Sequence, residues 1–358
     1  MTMEMTEPRT GPTRSTSYRS QGELPLVIHA DGNPGVESLV AWLTSQADHV
    51  REQLTRHGAI LFRGFDVTEA NDFERIARGI DDGLQNEYLG LSPRNAITDY
   101  VFTASEIPSL FPIPEHNEMS FVSSPPRSVF FWCKTEPAAG SGETPLVDMR
   151  RVYKDLDPEV RERFEKRGIR IVRNYRAPGQ QRPWDLTQLK PWVDMFQTTD
   201  RAIVEEKCAR ENFTPIWGDD NSLKLLSSQP AVKAHPRTGE MVWFNHAAVF
   251  HTSNGDGELR RIFLLRPSIR SFLAWIAGKT FTEAQRRLRN PDDLPMHCTY
   301  GDGTVIPDSD MEAVRDAIWK NLVITPWQNG DVLAIDNDST GHGRLPFVGP
   351  RMIAVAWA

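Results

Sequence analysis

Residues 114–121 read Pro-Glu-His-Asn-Glu-Met-Ser-Phe and contain the short pattern His116-x-Glu118. A histidine and a carboxylate two positions apart on an extended strand point to the same face of a sheet, because side chains alternate with a period of two. Far downstream, residues 336–344 read Asp-Asn-Asp-Ser-Thr-Gly-His-Gly-Arg and offer a second histidine, His342. Two imidazoles and one carboxylate on one side of a metal leave its other positions open, which is the ligand set of non-haem Fe(II) oxygenases.

Chance occurrence and other histidines are the alternatives to this metal site. His-x-Glu is a three-residue pattern that occurs in many proteins, so a structural role for His116 and Glu118 has to be weighed. Residues 243–251 supply His246 and His251, and either could be a ligand. These two are five residues apart and do not share a strand face by simple alternation. The remaining histidines have no partner pattern and are predicted to be surface or hydrogen-bonded core residues: His29, His49, His57, His235 and His297.

The composition is that of an ordinary globular protein. The chain has 358 residues, of which 39% are hydrophobic and 25% charged, and its formal net charge is −7. This charge argues against a nucleic acid or an anionic membrane as partner, and no apolar run of membrane-spanning length occurs. Cys133, Cys208 and Cys298 are widely separated, which predicts reduced thiols in a cytoplasmic protein.

The order of the predicted elements indicates one domain behind a short tail. Residues 1–20 lack the apolar core of a signal peptide and are predicted to be a disordered tail, and residues 21–358 a single domain. Early helices, many short strands and two helical insertions favour an α+β or mainly β fold. We predict a double-stranded β-helix (jelly-roll) core with flanking helices and a large insertion at about 150–300. Helices are predicted over 37–57, 68–80, 157–166, 200–210, 270–300 (polar) and 311–322, and strands over 59–62, 128–133, 144–148, 169–173, 231–235, 240–245, 323–325, 332–336 and 352–357.

These motifs resemble a known family over residues 24–358. Together with residues 24–28, 57–65, 140–148 and 327–331, they are similar to the taurine dioxygenase-like, clavaminate synthase-like Fe(II)/2-oxoglutarate oxygenases. Within that family the chain resembles hydroxylases of nonribosomal peptide pathways, such as the syringomycin-pathway aspartyl hydroxylase. The resemblance implies that His116, Glu118 and His342 are the catalytic iron ligands, and that 2-oxoglutarate and O2 are co-substrates. The glutamate is typical of the clavaminate-type subgroup and argues against a halogenase, in which a small residue replaces the carboxylate.

The resemblance also implies residues for the co-substrate. Family members bind the far carboxylate of 2-oxoglutarate with an arginine on a strand beyond the second histidine, and arginine suits this task because it binds carboxylates in a bidentate manner. Arg351 is the natural candidate, with Arg344 as the alternative, whose ordinary role would be an ion pair in a turn. Thr144 matches a family threonine whose hydroxyl bonds 2-oxoglutarate, although a strand threonine is also commonly structural.

Candidates for the substrate pocket are more loosely defined. Arg94 could hold a substrate carboxylate on the loop before the metal motif, and Asn245 or His246 could line the pocket. Mobile lid segments are expected within 174–230 or 85–113. The tryptophans of the insertion could form a lid or belong to the core: Trp184, Trp192 and Trp217.

The predicted function is hydroxylation of an unactivated C–H bond of an amino acid, with release of succinate and CO2. The amino acid could be free or tethered to a peptidyl carrier protein, in secondary-metabolite biosynthesis. Desaturation, epoxidation or cyclisation would use the same cofactor chemistry. Other classes are a Zn(II) hydrolase and a non-catalytic jelly-roll binding protein, whose structural metal site should be closed by four protein ligands. The sequence leaves the oligomeric state and the identity of the substrate open.

Overall fold

The computed structural model describes residues 13–17, 24–30, 34–88, 94–105, 107–180 and 189–358. The strands within these residues are β1 (Thr13–Ser17), β2 (Leu26–Ala30), β3 (Ala59–Arg63), β4 (Phe102–Thr103), β5 (Ile113–His116), β6 (Ser128–Thr135), β7 (Leu146–Asp148), β8 (Ile169–Tyr175), β9 (Phe213–Trp217), β10 (Leu223–Gln229), β11 (Val232–Ala234), β12 (Met241–Trp243), β13 (Met296–Tyr300), β14 (Leu322–Val323), β15 (Val332–Asp336), β16 (Thr340–Arg344) and β17 (Met352–Trp357). The helices are α1 (Val36–Ser45), α2 (Ala47–His57), α3 (Ala70–Ile80), α4 (Met149–Asp155), α5 (Pro158–Arg167), α6 (Trp192–Phe196), α7 (Arg201–Arg210), α8 (Ala247–Phe250), α9 (Asn254–Leu265), α10 (Ile269–Leu288) and α11 (Asp308–Lys320), with a 3-10 turn at Pro291–Asp293.

Two sheets enclose the core that carries the metal motif. The larger sheet has the order β1-β2-β3-β15-β6-β17-β4, and the smaller one has the order β14-β7-β16-β5. All neighbouring pairs are antiparallel except β2 with β3. Along β3, Ala59 and Leu61 pack in one buried cluster with Leu146 and Val323 of the smaller sheet. The apolar side chains between the sheets therefore hold the two layers together.

Helices α1, α2 and α3 cover the outer face of the larger sheet. Ile60 and Phe62 alternate with the inward-facing residues of β3 and pack against these helices. The predicted helical face of α3 is confirmed, and its Phe73 stacks on Trp132 of β6 with ring centroids 6.0 Å apart. The single helix predicted over 37–57 is divided into α1 and α2, and Gly58 ends α2 with φ of 77°.

The chain between β7 and β14 builds a separate layer over the outer side of the smaller sheet. It contains a sheet of order β13-β8-β10-β9 and the β11-β12 ribbon. Both pack with α4, α5, α7 and α11 around one large hydrophobic cluster. The predicted turn at residues 236–239 does join two paired strands.

Other predictions differ from the structure. The segment predicted to be helical and polar over 270–300 is α10 followed by β13, and α10 exposes large apolar side chains such as Ile269, Leu273 and Leu288. Within the predicted tail, Thr13–Ser17 is a strand paired with β2, and the other residues of 1–20 lie outside the described part. The three cysteines are free and buried, in agreement with the predicted reduced thiols. Among the described helices, none is long and apolar enough to cross a membrane.

Candidate metal centre

His116, Glu118 and His342 come together as one cluster, here called the open cluster. Their candidate ligand atoms all lie within 4.8 Å of one another. His342 on β16 lies directly opposite His116 on β5 in the ladder of the smaller sheet. Glu118 reaches the same place by a different route from the predicted alternation, because β5 ends at His116 and Glu118 lies in the turn that follows.

A buried asparagine that the motif analysis missed holds this turn in place. Asn337 Oδ1 accepts a hydrogen bond from the Glu118 backbone N–H at 2.7 Å, and Asn337 Nδ2 donates to the Glu118 carbonyl at 3.0 Å. Asn117 Nδ2 donates in return to the Asn337 carbonyl at 2.8 Å. The Asn337 side chain therefore clamps the turn that carries Glu118 to the chain just before β16, which carries His342. Its only sequence signal is its place directly after a buried strand.

The tautomer of His116 follows from its neighbour. Its Nδ1 lies 2.8 Å from the Pro114 carbonyl oxygen, which can only accept a hydrogen bond, so Nδ1 carries the proton and Nε2 keeps a lone pair. Burial, reinforced by His342, lowers the pKa of His116 to about 4, and the ring is neutral at neutral pH. His342 Nε2 lies 3.5 Å from Glu118 Oε2, while its buried Nδ1 has no hydrogen-bond partner among the described residues.

The carboxylate of Glu118 is ionised. Burial alone would raise its pKa, but Arg94 and then His342 outweigh burial and hold the pKa well below its usual range. Two imidazoles with one carboxylate, and no fourth ligand in the cluster among the described residues, form a donor set that fits Fe(II) with positions left for other ligands. The residues present therefore fit an iron ion.

Arg94, the candidate anchor of a substrate carboxylate, contacts the metal motif. Its Nη2 donates to both carboxylate oxygens of Glu118, at 3.1 and 3.0 Å. The guanidinium stacks over the rings of Tyr88 and Trp357, at 4.1 and 5.2 Å from their centroids. Arg94 thus holds a candidate metal ligand, as the outer partners of ligating side chains commonly do.

Of the other pocket candidates, His246 lies beside the open cluster. Its ring centroid is 4.6 Å from that of His116, and its Nδ1 lies 2.7 Å from Ser120 Oγ. Burial, followed by the proximity of His116, lowers the pKa of His246 well below its usual value, so this ring is also neutral. Asn245 uses its amide on two backbone partners, and His251 uses both ring nitrogens on Ser253 and the Ile306 carbonyl.

The tryptophans of the insertion lie in or against the hydrophobic core. Trp192 is buried, and Trp217 stacks against it edge-on with ring centroids 5.1 Å apart. Trp184 lies outside the described residues, as do parts of the predicted lid segments.

The three co-substrate candidates converge at one end of the smaller sheet. The pairing of β16 with β7 continues past the His342–Leu146 pair through two further backbone hydrogen bonds. Thr144 therefore lies opposite Arg344, on the face that His342 also occupies. Arg351 Nε donates to the Gly142 carbonyl at 2.8 Å, which brings its guanidinium to the same end of the sheet.

The two arginines at this end differ in how they are used. Arg344 donates to the carbonyls of Ile107, Pro108 and Phe111, at 2.9 to 3.0 Å, and thereby holds a loop rather than an ion pair in a turn. Arg351 forms no ion pair with any described acid, and the nearby Glu143 is taken by Arg266 at 2.8 Å. Burial, and then Arg344, lowers the pKa of Arg351 to about 10, so it stays protonated at neutral pH. A partly buried cation without a carboxylate partner among the described residues is suited to an anionic ligand.

A second group of a histidine and carboxylates, the closed cluster, consists of His235, Asp336 and Asp338. Nδ1 of His235 accepts hydrogen bonds from two backbone N–H groups of the following turn, at 3.2 and 3.1 Å. Nε2 therefore carries the proton and donates to Asp336 Oδ2 at 2.9 Å. Lys233 Nζ donates to Asp338 Oδ1. No nitrogen lone pair remains for a metal, so this cluster is structural.

Comparisons with known proteins identify the family. The family model described as "Taurine catabolism dioxygenase TauD, TfdA family" matches residues 24–357. Dapdiamide synthesis protein DdaC of Enterobacter agglomerans is 31% identical over 340 residues, which are 93% of this chain and 92% of DdaC. A clavaminate synthase-like protein of Arabidopsis thaliana is 30% identical over 315 residues, covering 87% of this chain and 84% of that protein.

A solved structure agrees at the level of the fold. PvcB of Pseudomonas aeruginosa, an Fe, alpha-ketoglutarate dependent oxygenase from an isonitrile synthetic pathway, aligns with a TM-score of 0.50 at 13% identity, covering 100% of this chain and 94% of PvcB. The predicted enzyme class and its iron, 2-oxoglutarate and O2 requirement are confirmed by the family match. The chain belongs to the TauD/TfdA family of 2-oxoglutarate-dependent, non-haem iron dioxygenases.

Proposed function

We propose that this dioxygenase hydroxylates an unactivated C–H bond of an amino acid, free or tethered to a peptidyl carrier protein, in secondary-metabolite biosynthesis. The biosynthetic setting is supported by DdaC, a dapdiamide synthesis protein, and by PvcB, which belongs to an isonitrile pathway. The observation that carries the chemistry is the open cluster next to the unpaired cation Arg351. The free, buried thiols support a reducing, cytoplasmic setting.

We assign the following roles to the residues of the site. His116, Glu118 and His342 hold the iron, and Arg94 keeps the Glu118 carboxylate ionised and oriented. When bound, iron with 2-oxoglutarate and O2 supplies the oxidant for the C–H bond, while 2-oxoglutarate is converted to succinate and CO2.

The co-substrate is assigned to the end of the smaller sheet. Arg351 binds the far carboxylate of 2-oxoglutarate and Thr144 donates its hydroxyl, because Thr144 Oγ1 already accepts a hydrogen bond from Trp327 Nε1 at 3.2 Å and its proton is free to point elsewhere. Arg344 adds positive charge and supports the 107–111 loop. Of the residues assigned to the co-substrate, Arg351 and Arg344 carry the positive charge that complements the two carboxylates of 2-oxoglutarate.

Aromatic side chains line part of the wall of the open cluster. Phe131 packs edge-on against His342 at 5.0 Å, and Phe121 and Phe250 flank His246 at 5.0 and 5.6 Å. Such side chains exclude water from the metal and help to position the target C–H bond. We also propose the jelly-roll description of the two-sheet core, and a single domain over 21–358 with its insertion at about 150–300, which the match over 24–357 supports.

The test is succinate release from 2-oxoglutarate with Fe(II) under air, against a panel of amino acids, each free and loaded on a carrier protein. We expect iron-dependent succinate that rises with one panel member, and a hydroxylated product by mass spectrometry. His116→Ala should abolish the signal, while His235→Ala, the matched truncation in the closed cluster, should retain it. Absence of succinate from enzyme that binds Fe(II), across the whole panel, would contradict the proposal.

A further inference from the structure

Arg173 occupies a position where the pattern of its strand calls for an apolar residue. Along β8, side chains at alternate positions face the hydrophobic core of the insertion, and Ile169, Ile171 and Tyr175 are members of that core. Arg173 belongs to the same row and pairs across the sheet with Leu225 of β10. Its exposed fraction is 0%. A charged side chain in such a row breaks the local rule of the fold, and such breaks are expected at functional sites.

No described group satisfies this guanidinium. Its Nε, Nη1 and Nη2 are all buried and make no hydrogen bond. The rings of Phe121 and Phe213 flank it, with their centroids 4.7 and 4.6 Å from Cζ. Stacking on aromatic rings stabilises a cation but gives its N–H groups no acceptor. The hydroxyl of Tyr175, two residues along the same row, interacts with the Arg173 guanidinium but lies outside hydrogen-bond geometry with every described group.

Arg173 lies within two side chains of the metal ligands. Phe121 contacts the guanidinium of Arg173 and packs edge-on against His246, with ring centroids 5.0 Å apart. His246 in turn lies 4.6 Å from His116. Phe121 also lies only three residues after Glu118 in the chain, so the guanidinium of Arg173 and the metal motif contact the same short segment. Phe121 and Phe213, which flank the guanidinium, belong to the hydrophobic cluster of the insertion.

We infer that Arg173, with the hydroxyl of Tyr175, binds a carboxylate of the substrate. The inference rests on the proposed function, and it narrows the substrate to an amino acid that still carries a free carboxylate. For a free amino acid, this group is the α-carboxylate or a side-chain acid. For an amino acid held on a carrier as a thioester, the α-carboxyl is consumed, so an acidic side chain is required. Because the nitrogens are closed off by Phe121 and Phe213, one of these rings moves aside when the anion enters.

A binding role and a structural role make opposite predictions for Arg173→Met. Methionine keeps much of the volume and removes the buried charge, and a buried charge without a partner destabilises a fold. If the guanidinium serves only to bind an anion, the Arg173→Met variant without ligand melts at the same temperature as wild type or at a higher one. If the guanidinium supports the core, the variant melts lower. Arg173→Lys keeps the charge without the bidentate fork, so it tests the site should the methionine variant fail to fold.

The direct experiment measures anion binding without turnover. Enzyme saturated with Mn(II) and N-oxalylglycine, which fill the metal and co-substrate sites, is titrated with sodium acetate against sodium chloride of equal ionic strength. We expect acetate to raise the melting temperature of wild type and of Arg170→Met, and not of Arg173→Met. Arg170 is the matched control, because it lies on β8 outside that row and donates to the Gly301 carbonyl. Equal acetate shifts in all three proteins would overturn the inference.

Turnover separates this inference from the proposed function. With the amino acid that stimulates wild type, we expect Arg173→Met to lower substrate-dependent kcat/KM by roughly a hundredfold, as expected for the loss of a charge-paired hydrogen bond. The slow succinate release without substrate should remain. Unchanged kcat/KM in the variant would refute the role of Arg173 alone, whereas a wild-type enzyme that no amino acid stimulates would refute the proposed function.

Discussion

The open cluster and the closed cluster contain the same kinds of side chain and do different things. Both combine histidine and carboxylate with ligand-type atoms within 4.8 Å of one another. In the closed cluster, backbone N–H groups occupy Nδ1 of His235, so its other nitrogen must donate to Asp336. In the open cluster, a carbonyl faces Nδ1 of His116, so its other nitrogen keeps a lone pair. The partner of the distal nitrogen decides whether such a cluster binds a metal or cross-links the fold.

The two clusters also differ in how the charged groups around them are paired. In the closed cluster, Lys233 pairs with Asp338, and the Nε2–H of His235 donates to Asp336. The open cluster has Arg94 on its carboxylate, and nearby cations that no described acid pairs, Arg351 and Arg173. Cations without an acid partner among the described residues, beside a cluster with open ligand positions, indicate a site built for anionic small molecules as well as for a metal.

Glu118→Ala breaks the open cluster and should have the largest effect. It removes the only anionic ligand, so we expect Co(II) binding, followed by visible absorption, and succinate formation to fall to background. Asp338→Ala makes a comparable truncation in the closed cluster and should retain both. Metal binding that survives in Glu118→Ala would contradict the assignment of the open cluster.

Arg351→Met tests the unpaired cation of the co-substrate end. A hydrogen bond to a charged group contributes about 1.5–3 kcal/mol, so the 2-oxoglutarate concentration for half-maximal turnover should rise roughly ten- to hundredfold. Arg344→Met is the comparison, since Arg344 is bonded to three loop carbonyls and should affect stability more than co-substrate binding. An equal rise in the substrate requirement of Arg351→Met would argue against the assigned role.

Arg94→Met tests the hydrogen bonds that Arg94 donates to the carboxylate of Glu118. Loss of an outer partner of a metal ligand commonly weakens metal binding by roughly 10- to 100-fold, and we expect this range for Co(II). Arg78→Met is a matched control, because Arg78 also stacks on a tyrosine ring and pairs with a glutamate, Glu74, away from the metal. The same Co(II) affinity in both variants would show that Arg94 does not support Glu118.

Asp336→Asn should have the smallest effect on the metal and a measurable one on the fold. It weakens the bond from His235, and we expect the free energy of unfolding in urea to fall by about 1–3 kcal/mol. Co(II) affinity should be unchanged. Weaker Co(II) binding with unchanged stability would mean that the closed cluster has been misread as structural.

The fold could be predicted from sequence wherever one residue type repeats at a fixed period. For this reason the sequence predicted β3 and β6 from their apolar runs, and α3 from its apolar face. The exposed apolar side chains of α10 were not predicted, because residues 270–300 were treated as one polar segment and the arginines concentrate near its middle, at 286, 287 and 289. The parallel pairing of β2 with β3 depends on contacts between distant segments that no local pattern contains.

The candidate site shows the same division. The motif predicted that His116, Glu118 and His342 lie together. Strand alternation was the wrong reason for Glu118, because β5 ends at His116 and Glu118 lies in the turn that follows. Arg94 was singled out, but its bond to Glu118 was not foreseen. Asn337 and Arg173 were missed, because a single asparagine or arginine has no periodic signature and only the account of buried hydrogen bonds reveals its role.

The Asn337 clamp has a consequence for the order in which the molecule is made. It joins residues 219 positions apart, with the whole insertion between them. During synthesis, His116 and Glu118 emerge long before Asn337 and His342, and domains fold as the chain appears. A partly made chain therefore has two ligands on an unclamped turn. The oxidising centre is completed only after the insertion has been synthesised, so unfinished chains cannot hold iron in the reactive geometry.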